Sequence, residues 1–241
     1  MAGAYDGVAA GGRAMAAGRG WDWIASAWAM FRKQPGVWIG VVVIMLIIYG
    51  ALALFPKLGS LASCILGPVF GGGLMLGCRA QDEGRPLEVG HLFAGFRERF
   101  GQLVLVGALY LAATVVIVLA VLFITGVSLV VSVGQLESMP PAALLMLLVA
   151  MLVVAALQLP LMMAVWFAPA LVVLQGRDAV PAMQQSFTGC LRNVVPFLVY
   201  SVVLLVFSVL ASIPLGLGWL VLIPVIVASI YTSWKDIFTA T

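Results

Sequence analysis

The sequence predicts an all-α, polytopic integral membrane protein whose six transmembrane helices form three helical hairpins. Three observations predict it. The 241 residues are 64% hydrophobic and 9% charged, with a mean hydropathy of +1.19, whereas soluble domains carry about a quarter charged residues. The apolar residues gather in runs close to the ~20 residues that a helix needs to cross hydrocarbon, and Pro, Gly or charge bounds each run. Unbroken stretches such as "VVIVLAVLF" at 115–123 exclude the alternating strands of about ten residues that build a membrane barrel.

The elements follow in order. Residues 1–19 are Gly/Ala-rich and lack a cleavable apolar core, so a flexible cytoplasmic tail is expected, not a secretory signal. One six-helix domain should then occupy 20–238. It opens with Trp21, Ile24, Trp28 and Phe31 at i, i+3, i+7 and i+10, one stripe of an amphipathic helix that Trp23 widens. Span one covers 37–54 and is closed by Phe55, Pro56 and Lys57; span two covers 61–78 and ends at Arg79. Next, Val89, Leu92, Phe93, Phe96 and Phe100 share a face with Glu88, Arg97 and Glu98 around the other, which suits a helix in the headgroup layer. Spans three (103–127) and four (142–167) follow, then a third polar-aromatic piece around Phe187, then spans five (194–213) and six (217–231).

A weak repeat organises these pieces. Phe31, Phe96 and Phe187 each precede polar residues and an odd-numbered span, while every even span has a proline followed four residues later by a small residue: Pro68 and Gly72, Pro160 and Ala164, Pro224 and Ala228. The unit reads as an interfacial helix, a straight span and a proline-kinked span, used three times. Basic residues orient it. Arg13, Arg19, Arg32, Lys33, Arg79, Arg85, Arg97, Arg99, Arg177, Arg192 and Lys235 fall on one side, 11 of the 12, leaving Lys57 and Glu137 opposite. That predicts a bacterial inner membrane location with both termini cytoplasmic.

The run "GPVFGGGLMLG" at 67–77 decides how the glycines are read. A phosphate loop needs water, a preceding strand and, in one form, a lysine; this run lies in an apolar span. Gly67 with Gly71 and Gly73 with Gly77 are instead small-xxx-small pairs that let a second backbone approach, Leu in place of Gly72 or Gly73 is expected to disrupt assembly by steric clash, and Pro68 predicts a kink. No ionisable residue lies mid-span, which argues against proton relays and ion-coupled carriers. Gln158, two residues before Pro160, is expected to cap carbonyls at the kink. His91 is the sole histidine and reads as an interfacial side chain, and Asp82 and Glu83 sit in a turn of mixed charge that local ion pairs and capping explain. Cys64, Cys78 and Cys190 are placed in or near the reduced cytoplasmic half, with no disulfide and no metal-ligand spacing. No catalytic, cofactor or metal site is expected.

The segments "GCRA" with Asp82, Gly84 and Pro86, "LFAGFR" at 92–97 and "ASIYTSWKDIF" at 228–238 resemble a family of uncharacterised bacterial six-helix inner-membrane proteins, over about 20–238. More distantly, the layout and "AMQQSFTGCLRNVVPF" are similar to the membrane domain fused to some glycerophosphodiester phosphodiesterases. The hydrolase half has no counterpart in these residues, so the resemblance implies fold and location and carries over no activity. The expected function is a non-enzymatic accessory or scaffold protein, in contact with membrane lipids and with a membrane-protein partner or a second copy, and not with nucleic acid. Trp21, Ile24, Trp28, Phe31, Leu92, Phe93, Phe96, Phe100 and Phe187 are its expected interfacial or docking residues; Gly67, Pro68, Gly71, Gly72, Gly73, Gly77, Pro160 and Pro224 are its packing and hinge residues. One alternative is a protein that binds or moves lipid or a small apolar molecule, with an acyl groove beside Gly71 to Gly77. The other is a membrane-embedded enzyme, which convergence of Asp82, Glu83, His91 and Asp178 would favour.

Overall fold

A computed structural model describes residues 11–125 and 140–239 of the protein. Helices α1 (Arg19–Lys33), α2 (Pro35–Ala53) and α3 (Pro56–Asp82) lead to a short 3-10 helix (Val89–Phe96). Then come α4 (Phe100–Thr125), α5 (Pro141–Trp166), α6 (Ala168–Gln175), α7 (Ala179–Arg192), α8 (Val194–Ser212) and α9 (Trp219–Phe238). Among the described residues six segments are long and apolar enough to cross a membrane: Pro35–Ala53, Lys57–Asp82, Phe100–Ile124, Pro141–Gln175, Val194–Ser212 and Trp219–Phe238. The expected end of span three at Val127, and Glu137, lie outside the described residues.

Proline sets several helix starts. α2, α3, α5 and α6 each carry one in their first turn, where its fixed φ suits the helix and its missing N–H would have had no partner. Span four is interrupted at Phe167, between α5 and the Pro169 turn of α6, and not at Pro160, through which α5 runs on. α3 and α9 likewise continue through Pro68 and Pro224. α6 stops at Gly176, whose φ of +67° closes the helix in the left-handed region. Spans two and six both outrun their expected ends at Cys78 and Tyr231, because Ala80, Gln81, Trp234, Asp236, Ile237 and Phe238 are buried against other elements. Packing, not apolarity, decides where those helices end.

The three-part repeat closes into a ring. α1 packs on α9, the 3-10 helix on α3, and α7 on α5, so each interfacial piece sits on the proline-bearing span of the unit before it, the first on the last. The core lies at the basic end, where Trp23, Phe167, Leu171, Trp234, Ile237 and Phe238 are almost wholly buried. Toward the far end the side chains turn outward, as at Phe123, Ile124, Leu152 and Leu205; a protein in water would bury such a surface, whereas lipid solvates it.

One local expectation is corrected, and the buried face of α1 is defined. The stretch from residue 11 to 19 is not a loose tail: the Arg13 N–H donates to the Ile237 carbonyl at 2.9 Å, and Asn193, fully buried, takes the Met15 N–H at 2.8 Å and gives its Nδ2 to the Arg13 carbonyl at 2.8 Å. Gly12, with φ of +70°, fits against Ile237 and Phe238 where a side chain would collide. In α1 the buried face is Trp23, Ile24, Ala27, Met30 and Phe31, while Trp21 and Trp28 stay about half exposed. Trp23, not Trp21 or Trp28, is the anchoring indole, because α9 and the buried Asp236 lie on its side.

Candidate functional site

The glycines of α3 form a seam inside the molecule. A Cβ on Gly73 would stand 2.5 Å from the His91 carbonyl oxygen and 2.8 Å from that of Leu92, and one on Gly95 would stand 2.0 Å from the Val69 oxygen. Backbone meets backbone there, as small residues allow. Gly77 accommodates Leu87 and His91, and Gly72 faces the side chains of Leu103 and Val173. Gly67 and Gly71 touch little, with Tyr49 at 4.0 Å and Pro169 at 3.8 Å as nearest neighbours. At Gly72, Gly73 and Gly77, where an acyl groove was expected, Leu87, the 3-10 helix, Leu103 of α4 and Val173 of α6 occupy the space. Leu92 is buried, and Phe93, Phe96 and Phe100 lie around Phe70 of α3, with Phe96 5.5 Å from Phe70 and 5.6 Å from Phe100 between ring centroids. Their outer edges remain exposed, and Phe187 in α7 is half-buried.

The main polar cluster joins α1, α3 and α9 at the basic end. Asp236, 8% exposed, accepts hydrogen bonds from Arg19 Nε at 2.7 Å, Arg19 Nη2 at 2.6 Å and Trp23 Nε1 at 2.9 Å. Arg13 Nη2 donates to its backbone carbonyl at 2.8 Å. The hydrogen bond from Arg19 to Asp236 holds the guanidinium above its ordinary pKa, against the opposite pull of burial. Beside it, Asp82 accepts from Lys235 Nζ at 2.6 Å and from the Tyr231 hydroxyl at 3.0 Å. These groups wall a pocket of about 390 Å³ that Ser26, Met30, Lys33 and Thr232 complete. A neighbouring polar hollow lies between Lys33, Gln34, Gln81 and the turn at Gly84 to Pro86.

The opposite face of α1 is apolar. Trp21, Ile24, Ala25 and Trp28 form one wall of a groove of about 560 Å³ whose other walls are Phe207, Leu210 and Ala211 of α8 and Val221, Leu222 and Val225 of α9. A smaller apolar pocket of about 240 Å³ lies between α5, α7 and α8, at Met162, Trp166, Val194 and Phe197.

The groups that would have built an enzyme each engage different partners among the described residues. Asp82 engages Tyr231 and Lys235, Glu83 engages Arg85, and Asp178 engages Arg99 at 2.7 Å. His91 Nδ1 accepts the Glu88 N–H at 3.0 Å in a capping box, a local structural role for the side chain expected at the interface. Gln158 does not cap its own kink: its Nε2 donates to Thr114 Oγ1 of α4 at 3.3 Å, an interhelical bond. Among the described residues no group of three or more His, Cys, Asp or Glu could hold a metal ion. Asp236, Trp23, Asn193 and Gln81 were not singled out from sequence as site residues. The one signal was their setting, polar residues in or beside the segments that carry the family resemblance.

Comparison with known proteins adds a family and no activity. Residues 56–234 match the profile of a domain of unknown function, DUF7847. A probable inner membrane protein of Burkholderia thailandensis is 28% identical over 209 residues, which cover 83% of this chain and 76% of that protein. No solved structure matches.

Proposed function

The chain belongs to the DUF7847 family of unknown function, and from that premise we propose that it is a non-enzymatic inner-membrane protein that holds a lipid acyl chain between α1, α8 and α9. The observation that carries this reading is the 560 Å³ groove. It is almost wholly apolar, and α8 and α9, two of its walls, are spans. A hollow open to the bilayer there takes hydrocarbon, because no polar group repays the entry of water.

The accessory or scaffold reading comes second. The small-residue faces on which it relied, at Gly72, Gly73 and Gly77, are occupied by the chain's own elements. What supports it is the exposed outer edge of Phe93, Phe96 and Phe100, a row of aromatics at the basic end on which a membrane-protein partner or a second copy could dock. In both readings, the basic end faces the cytoplasm, with the two termini on that side.

Native mass spectrometry of the protein released from nanodiscs tests the groove. Wild type should retain lipid, and Ala25→Trp, which places an indole in the groove from an exposed position, should retain fewer lipids with unchanged helicity. Equal retention would overturn the lipid reading. Recovery of one stoichiometric membrane protein, lost on Phe96→Ser, would put the accessory reading first.

A further inference from the structure

The hollow between the ends of α1 and α3 has a chemistry of its own, independent of the apolar groove. It measures about 280 Å³ and is lined by Lys33, Gln34, Gln81, Gly84, Arg85 and Pro86. Gln81 is 3% exposed. Its Nε2 donates to the Met30 carbonyl at 3.0 Å, but its Oε1 is buried without a hydrogen bond. Buried acceptors of that kind are rare in folded proteins, and each marks a place for a donor. Gln34 uses its Oε1 to accept the Leu87 N–H at 2.7 Å, and its Nε2 makes no hydrogen bond among the described residues. Lys33 has no carboxylate within ion-pair distance among the described residues, whereas Arg85 is paired with Glu83.

We propose that this hollow binds a phosphodiester headgroup whose far end carries an N–H or O–H donor. The phosphate lies against Lys33 and the Gln34 amide, and the donor reaches Gln81 Oε1. Glu83 and the carbonyl end of α3 carry negative potential, while at the carbonyl end of α1 the Lys33 charge offsets it. They favour an ammonium or hydroxyl at that end over a second anion. The residues stand at the basic end of the bundle, at the level where the headgroups of one leaflet lie. A soluble phosphodiester offers the same chemistry, so the source is a matter for the test.

The experiment places the full chain in nanodiscs with equal phosphatidylethanolamine and phosphatidylcholine and counts retained lipids by native mass spectrometry. Methylation of the amine removes the donors and leaves the phosphate and the positive charge. Wild type should retain phosphatidylethanolamine about fivefold over phosphatidylcholine, the ratio that one net hydrogen bond supplies. Lys33→Gln should lower retention of both, and Gln81→Met should erase the preference. Gln81 also anchors the Met30 carbonyl, so the wild-type ratio and the exposed Lys33→Gln variant carry the test if Gln81→Met does not fold. Ala25→Trp, which closes the apolar groove, should leave the preference intact, so the two sites fail separately. Displacement of the lipid by millimolar glycerophosphoethanolamine would assign the site to a soluble phosphodiester. Equal retention of the two lipids by wild type, or a Lys33→Gln variant that behaves as wild type, overturns the proposal.

Discussion

At the residue scale the decisive group is Asp236. Its carboxylate takes three hydrogen bonds and is nearly buried, so Asp236→Ala strands the Trp23 indole N–H and leaves Arg19 with Asp22 alone, at 3.5 Å. Hydrogen bonds to a charged group contribute about 1.5–3 kcal/mol; with Arg19 partly exposed, a loss near the lower end is expected. A thermal melt in detergent reads it, and a melting temperature unchanged from wild type would remove Asp236 from the fold's anchors. His91→Ala should cost less, about 1 kcal/mol or below, because it removes only half of a capping box. Cys190 gives a chemical test. Burial pushes its thiol from 9.0 to about 12. A thiol raised in the folded state lends stability that is whole below pH 9 and is lost as pH rises toward 12, so no pH effect from Cys190 is expected near neutrality. Water-soluble maleimide should leave it unmodified at neutral pH until the protein is unfolded. Cys64 lies in the half of α3 nearer Pro56, away from the basic end.

At the element scale the seam between α3 and the 3-10 helix is the most exacting contact. Gly73→Leu drives a side chain into the His91 and Leu92 carbonyls, which cannot rotate away, whereas Gly72→Leu meets only the methyl ends of Leu103 and Val173. Overpacking costs about 1–3 kcal/mol, so Gly72→Leu should fall within that range and Gly73→Leu at its top or beyond. Limited proteolysis between residues 84 and 99 would show it, Gly73→Leu being cut faster than Gly72→Leu. The same seam shows what could be read from the chain. The six spans were legible because a run of about 20 apolar residues has few other fates, and a Cβ on Gly73 or Gly77 would meet the His91 carbonyl or the Leu87 side chain within 3 Å. Their partner was not legible: a small-xxx-small pair announces a close approach and does not say whether the neighbour is another molecule or the next ten residues. Helix ends were missed where polar residues such as Gln81 and Asp236 are buried by tertiary contacts, and an apolarity rule ends the span before them. Which tryptophan of α1 is buried was not legible for a similar reason. Periodicity puts Trp21 and Trp28 on one stripe that Trp23 widens, and only the position of Asp236, more than two hundred residues away, selects Trp23 for burial.

At the scale of the whole molecule, the ring of interfacial pieces on proline-bearing spans draws the polar chemistry to one end. Arg13, Arg19, Arg79, Arg85, Lys235 and Arg192 all make contacts there, while the opposite turn between α8 and α9 holds Leu215 and Gly216 at positive φ and carries no charge. That asymmetry predicts which leaflet supplies ligands to the basic end, because basic flanks are retained in the cytoplasm. In a variant lacking Cys64, Cys78 and Cys190, single cysteines at Ser26 and Leu215, both exposed, should report opposite sides of the membrane. A membrane-impermeant maleimide applied to intact spheroplasts should label Leu215→Cys and spare Ser26→Cys until the membrane is opened. The reverse pattern would turn the molecule over, place both pockets of α1 toward the outer leaflet, and make the lipids of that leaflet the ones that its lysines and arginines meet.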